Sequence, residues 1–195
     1  MPVIILASKS AARSAVLRGA GVVFETADSG VDEDLTKANM LAHGARAVAQ
    51  ALAEEKALMV SKARGGLVIG ADQTLEFQTR LFDKVADRDA ARQRLRMLRG
   101  EPHSLHSAVV VAKDGVPIWR ETVSATLTMR DFSDEFLEHY LEVEGDNALG
   151  SVGCYRLEGL GAQLFSDIRG DYFAILGLPL LGLLDLLRRQ GAVTA

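Results

Sequence analysis

Val3-Ile4-Ile5-Leu6-Ala7-Ser8-Lys9-Ser10-Ala11-Ala12-Arg13-Ser14 carries an apolar run of strand character into two serines and then an arginine. The spacing predicts a buried strand, then a helix that Ser10 caps and that Gly19 and Gly21 end just after Leu17 and Arg18. A strand that delivers hydroxyls and a helix N-terminus to one point makes a seat for an anion. The first N–H groups of the helix are unpaired, and its dipole favours negative charge there. Ser8 and Ser10 supply the hydroxyls, and Arg13 and Lys9 add positive charge. The corner therefore reads as a phosphate site, with the reacting groups to be sought among carboxylates further along.

Outward from this unit the chain alternates strand and helix patterns. Val22 to Thr26 reads as a second strand, and the acidic run Asp28 to Asp34 as a solvated loop. Thr36 to Arg64 carries apolar residues at spacings of three and four, with Gly44 as a point where it divides into two helices. Leu67 to Ala71 is a short apolar strand of the kind buried on both faces, and Asp72-Gln73-Thr74 follows as a loop at its carboxyl end. In open α/β sheets ligands bind at such ends. Leu75 to Phe82 reads as a hairpin, and Asp87 caps a helix from Arg88 to Arg99 whose arginines form a solvated face. Ser104 to Lys113 and Ile118 to Met129 are strands joined by a turn at Asp114-Gly115. Ser133 starts a helix that runs to about Glu144, Ser151 to Gly161 reads as extended, and Gln163 to Ile168 as a strand. Pro179 opens a last helix that ends by Arg189. This is the pattern of an α/β protein with a mixed sheet.

Composition bounds the function. A chain of 195 residues that is 48% hydrophobic and 25% charged suits one domain, or two closely joined lobes, around a sizeable core. A net charge of −4 gives no general attraction to nucleic acid or anionic membrane, so a phosphate ligand has to be gripped locally. The single cysteine, Cys154, excludes an internal disulfide and suits a reducing compartment. Tyr172 to Leu184, the most lipid-like segment, is too short to span a membrane and is interrupted by Gly177, Pro179 and Gly182. With no secretory signal pattern at the start, the expectation is a cytoplasmic protein with neither nucleic acid nor membrane as partner.

The chain contains no GxxxxGK[ST] loop, no GxGxxG, no HExxH and no GxSxG. His103 and His106, three apart on a strand, face opposite sides and read as ordinary histidines rather than as a metal pair. What remains is a scattered set: Ser8, Ser10, Arg13, Asp32, Glu33, Lys56, Asp72, Lys84 and Glu158. Hydrolysis of a phosphoanhydride needs these residue types. Cations neutralise a polyphosphate, carboxylates hold a divalent metal on its oxygens, and one carboxylate activates or orients water.

These residues also carry a resemblance, which runs over essentially the whole chain. Leu6 to Arg13 is similar to the LASxSPRR opening of the Maf family of nucleotide pyrophosphatases, and Val31-Asp32-Glu33 to its V-D-E segment. Ala53 to Ala57 resembles its A-x-x-K-A helix, and Ile69 to Gln73 its I-G-[AS]-D-[TQ] strand. Lys84 stands where the family has G-K-P, and Glu158 to Gly161 with Gly170 to Leu180 completes the set in order. The resemblance implies a Maf/ITPase-like fold over 1–195, two-lobed, with a mixed central sheet flanked by helices and a cleft between the lobes. It implies hydrolysis of nucleoside triphosphates between the α and β phosphates to a nucleoside monophosphate and pyrophosphate. Asp72 matches the catalytic proton acceptor, and Ser8, Ser10, Arg13, Lys56 and Lys84 are the substrate-binding positions. A divalent metal, Mg²⁺ or Mn²⁺, is expected on Asp32, Glu33 and Asp72, and a homodimer is the usual assembly.

The departures are specific. Ala11 and Ala12 replace the family's Pro and first Arg, removing one cation from the phosphate corner, and Asp83 and Val85 flank Lys84 in place of Gly and Pro. Substrate preference in the family is linked to the positions of Ala12, Gln73 and Glu158. The branch acting on 7-methyl-GTP has Gln and Glu at the last two, as here, whereas the dTTP/UTP branch has Thr and Gln there and Arg at the first. A carboxylate at Glu158 can accept both hydrogen bonds from the N1–H and amino group of a guanine edge, and it tolerates the cation left by N7 methylation. The alternatives are a dTTP/UTP pyrophosphatase and a nucleotide-binding regulator of septum formation with little turnover.

Overall fold

A computed structural model of the protein describes residues 2–194. Strand β1 (Ile4–Ala7) is buried throughout and lies parallel to β2 (Glu25–Thr26) and to β3 (Leu67–Phe77), with Ile5 opposite Glu25 and Ala7 opposite Gly70. Helix α1 (Ala11–Gly19) follows β1, and the chain from β2 to β3 forms α2 (Glu33–Met40), a 3₁₀ turn at Leu41–His43 and α3 (Ala45–Ala63). Gly44, at φ 87, makes the break between α2 and α3 that a β-carbon would strain. After β3 come β4 (Arg80–Phe82), α4 (Arg88–Leu98), β5 (Pro102–Lys113), β6 (Val116–Met129) and α5 (Asp134–Glu144). Strand β7 (Phe165–Arg169), α6 (Tyr172–Ile175) and α7 (Leu180–Arg189) complete the chain. The sheet has seven strands in the order β2-β1-β3-β5-β6-β7, with β4 antiparallel on β3 and β7 antiparallel on β6. It is a mixed sheet flanked by helices, as expected.

The chain divides into two compact units, and the division falls within β3, β5 and β6. The first comprises Met1–Gln73, His106–Ser124 and Asp171–Ala195. Its sheet is covered on both faces, by Leu17 of α1 with Leu183 and Leu187 of α7 on one, and by Ala49, Ala53 and Ala57 of α3 on the other. The small side chains on α3 let it lie close to the strands. Gly70 takes this furthest: a β-carbon there would sit 2.2 Å from the Ala53 carbonyl oxygen and 2.5 Å from the Ala57 nitrogen.

The second unit comprises Thr74–Leu105 and Ala125–Gly170. Near its core His103 Nε2 lies 2.7 Å from the Tyr155 hydroxyl, and His103 Nδ1 is buried without a partner. Burial pushes the His103 imidazole down to about 4 from an ordinary value of 6.5 and pushes the Tyr155 phenol well up, so both groups are uncharged near neutral pH. The unfolded chain binds a proton on this residue below about 6.5 and the folded one only below about 4. Stability is therefore whole above the first value and declines as pH falls toward the second, by about 3 kcal/mol in all. Urea unfolding from pH 7 to 4.5 should show most of that loss, and His103→Phe should flatten it. Equal slopes for wild type and variant would show that His103 does not titrate this way.

Four expectations fail, each for a local reason. The strand expected over Val22 to Thr26 shrinks to Glu25–Thr26, because the Val22 N–H turns back to the Leu17 carbonyl at 3.1 Å to close α1. The acidic run is not wholly loop. Asp32 caps α2 by accepting from the Leu35 N–H, and Glu33 and Asp34 fill its first turn, where the dipole favours them. Asp72 is not in a loop, because β3 continues to Phe77 with Leu75 and Phe77 buried and paired to β4. Ser151 to Gly161 is not extended. The Ser151 hydroxyl and carbonyl draw in the Tyr155 and Cys154 N–H groups, and a 3₁₀ turn begins at Leu160.

Candidate active site

The corner after β1 is assembled as the serine spacing predicts. Ser10 caps α1, its Oγ accepting from the Arg13 N–H at 3.3 Å, and its own N–H donates to Ser8 Oγ at 3.2 Å. The Arg13 side chain folds back across this turn. Nη1 donates to Ser8 Oγ at 3.1 Å and Nε to the Gly177 carbonyl at 2.9 Å. Two of the guanidinium's donors are thus fixed by the protein, which holds its plane for an oxyanion. Burial lowers the Arg13 pKa, against the pull of the Asp72 and Glu33 charges. Lys9 instead points to solvent and pairs with Asp28 at 2.6 Å, and Ala12 is exposed on the first turn of α1.

The second cluster centres on a lysine. Lys56 lies on the sheet-facing side of α3, one residue from Ala57, and Asp72 lies two residues beyond Gly70 on the same face of β3. The close approach at Gly70 carries Lys56 Nζ to 2.7 Å from Asp72 Oδ1 and 2.7 Å from Glu33 Oε1. Exposure is graded along this row: the Lys56 side chain is 8% exposed, that of Asp72 11% and that of Glu33 47%. Burial pushes the Glu33 carboxyl up, but the Lys56 hydrogen bond and charge, with Lys37 and Arg13, outweigh it and leave the group below its ordinary value. The charges of Asp72 and Glu33 act on Arg13, so the corner lies within electrostatic reach of the row.

Gln73 faces the other way from Asp72. Its amide nitrogen, with two protons to give, lies within hydrogen-bond distance of Ser107 Oγ and of the carbonyls of Ala174 and Ile175. Lys84 and Glu158 belong to the second unit. Lys84 is exposed between β4 and α4, and Glu158 is exposed and accepts from Arg156 Nε at 3.2 Å. Arg156 also donates to buried Glu144 at 3.2 Å, which steadies the guanidinium that holds Glu158.

The described residues contain no cluster of three or more His, Cys, Asp or Glu side chains placed to hold a metal. Asp32 has one oxygen on the Leu35 N–H as the cap of α2. Asp72 gives one oxygen to Lys56, and Glu33 gives Oε1 to Lys56 while its Oε2 lies 3.9 Å from Lys37 Nζ. That donor set does not cage an ion, but it fits Mg²⁺ or Mn²⁺ arriving on phosphate oxygens, which is how a hard cation is held by one or two carboxylates together with a nucleotide.

A family model described as Maf-like protein matches residues 3–190. The chain belongs to the Maf-like family. It is 58% identical over 193 residues to a nucleoside triphosphate pyrophosphatase of Caulobacter vibrioides, covering 98% of this chain and 97% of that one. It is 49% identical to a 7-methyl-GTP pyrophosphatase of Brucella abortus, covering 97% of each chain. A 7-methyl-GTP pyrophosphatase of Rhizobium meliloti is 46% identical, with 100% and 99% covered. No helix among the described residues of the Maf-like chain is long and apolar enough to cross a membrane.

Sequence reasoning missed three partners of the expected residues. The Gly177 carbonyl on Arg13, Ser107 behind Gln73 and Arg156 on Glu158 are all absent from the expected set. Only Gly177 left a trace, as part of the Gly170 to Leu180 segment, and nothing there shows that its carbonyl meets a side chain 164 residues away.

Proposed function

We propose that this Maf-like protein hydrolyses nucleoside triphosphates between the α and β phosphates, with 7-methyl-GTP as the preferred substrate. The observation that carries the reading is the buried Asp72 carboxylate anchored on Lys56 at 2.7 Å, with its charge acting on the Arg13 guanidinium. Phosphoanhydride cleavage is mostly positioning and charge neutralisation. Ser8, the N–H groups at the start of α1 and Arg13 seat the phosphates. Asp72, with one oxygen held by Lys56, accepts a proton from the attacking water through the other. Water oxygen adds to phosphorus, the anhydride bond breaks, and its bridging oxygen keeps the electron pair. A divalent metal, held by Glu33 and Asp72 together with phosphate oxygens, would supply further neutralisation of charge on those oxygens. Asp32 remains in its capping role.

Base preference rests on Gln73 and Glu158, which match the 7-methyl-GTP branch, and on the Brucella and Rhizobium relatives that bear that name. Lys84 is assigned to substrate through its family position. A cytoplasmic homodimer belongs to the same proposal, with light scattering as the check on assembly. Purified protein with Mg²⁺ or Mn²⁺ should release pyrophosphate from 7-methyl-GTP faster than from GTP, dTTP or UTP. Preference for dTTP and UTP would overturn the base assignment. Tight nucleotide binding without turnover would favour the regulator reading and remove the enzyme.

A further inference from the structure

Gln73 is the one expected specificity residue whose amide the structure ties down, and the tie determines which atom it can offer a ligand. The amide nitrogen lies 2.9 Å from Ser107 Oγ, 3.1 Å from the Ala174 carbonyl oxygen and 2.9 Å from the Ile175 carbonyl oxygen. Ser107 Oγ in turn lies 2.6 Å from the Ala174 carbonyl oxygen. A serine hydroxyl has one proton, and a carbonyl has none to give, so the proton of Ser107 points at Ala174. Toward Gln73 the hydroxyl presents a lone pair. The group facing Ser107 must therefore be the amide N–H₂. Were the amide turned over, its oxygen would face three other oxygens with no proton between them.

The acceptors are as fixed as the donor. Ser107 is 1% exposed, Ala174 1% and Ile175 6%. Asp171 caps α6 by accepting from the Ala174 N–H at 2.7 Å, and two residues after Ile175 the Gly177 carbonyl takes Arg13 Nε. The segment Asp171 to Gly177 thus anchors both the phosphate-side arginine and the glutamine, and misplacing any one of these buried partners leaves another unpaired.

We propose that Ser107 is a positioning residue for substrate choice. With the Ala174 and Ile175 carbonyls it locks the Gln73 amide nitrogen inward, so that Oε1 is the atom presented and Gln73 acts only as a hydrogen-bond acceptor. The substrate class that fits is a nucleotide whose base edge offers adjacent donors, such as the N1–H and amino group of a guanine, where uracil offers only its N3–H. This rests on the pyrophosphatase reading for its kinetic test, but the geometry is tested without it.

In wild-type protein the Gln73 side-chain ¹⁵NH₂ protons, assigned with Gln73→Glu, should exchange with solvent at least tenfold more slowly than those of an exposed glutamine. In Ser107→Ala that protection should fall. In turnover, Ser107→Ala should reduce the ratio of kcat/KM for 7-methyl-GTP over UTP by about tenfold, the size of one misplaced hydrogen bond. Ser107→Thr, which keeps the hydroxyl, should restore both. Free exchange of the wild-type Gln73 amide overturns the proposal whether or not any variant folds. An unchanged ratio, or an equal fall for both nucleotides, overturns it as well. If wild-type protein releases no pyrophosphate from any nucleotide, the pyrophosphatase reading fails, and amide exchange alone decides the position of Gln73.

Discussion

Asp72→Asn is expected to lower kcat/KM for pyrophosphate release by about 10²–10⁴-fold, the range that a positioned general base contributes. The substitution keeps the shape of the side chain and an oxygen for Lys56 Nζ, which now lies 2.7 Å from Oδ1. It removes the charge and the basic oxygen. Lys56 still has Glu33 at 2.7 Å, so the buried ammonium is not left alone, and the stability loss should stay at roughly 1–2 kcal/mol. Ser8 and Arg13 do not depend on Asp72 for their mutual hydrogen bond, so nucleotide affinity should change much less than turnover. Pyrophosphate release at saturating metal, with nucleotide binding by calorimetry and thermal unfolding alongside, separates these effects. A variant within threefold of wild type in turnover would remove Asp72 from the role of base.

Where the sequence was legible, the signal was local. Ser10, Asp87 and Ser133 stand as caps where three-residue spacing put them, and Asp114-Gly115 makes the hairpin turn at φ 52 and 76. A cap or a two-residue turn is decided by neighbours in the chain. The start of α2 could also have been read, since Asp32 before Glu33 and Asp34 is an N-terminal signature, but four acids in a short run also describe a solvated loop. The extent of β3 was not legible, because Asp72-Gln73-Thr74 is polar and looks like a strand end. The Asp72 and Gln73 side chains sit inside a strand because each meets a partner contributed from elsewhere: Lys56 from α3, and Ser107 with the α6 carbonyls. A pairing between residues 16 or 34 apart leaves no periodic trace. The same holds for the site. Composition and motif order supplied the list of residues, while the fact that Lys56 bridges two carboxylates and that Arg13 is braced by Gly177 is visible only in three dimensions.

Lys56→Met should cost both stability and turnover, with a pH signature that identifies the cause. The change keeps an unbranched apolar stem on the sheet-facing side of α3 and deletes the ammonium that bridges Glu33 and Asp72. Breaking a buried pair from one side leaves the other charge without compensation, at about 3–5 kcal/mol. Here the lower end is expected, because Glu33 is 47% exposed and water can take up part of its charge. In wild type the Glu33 carboxyl lies below its ordinary value, chiefly because the hydrogen bond and charge of Lys56 overcome the upward push of burial. A carboxyl so lowered stabilises the fold above its unfolded pKa, and that stabilisation is lost as pH falls through its folded pKa. Lys56→Met removes this contribution. The stability gap between variant and wild type should therefore be widest near neutrality and narrow as pH drops through the ordinary carboxylate range. Adding Glu33→Gln to Lys56→Met deletes one of the two facing charges and should recover part of the stability, so the two changes should be coupled rather than additive. It should not recover turnover, since Asp72 still lacks the group that fixes its oxygen. Urea unfolding of the four proteins of this cycle at pH 7 and pH 4, with pyrophosphate release at pH 7, makes the comparison. A gap that is the same at both pH values, or a double variant as unstable as the sum of the singles, would mean that Lys56 supports the fold by packing and does not hold the two carboxylates in place by its charge.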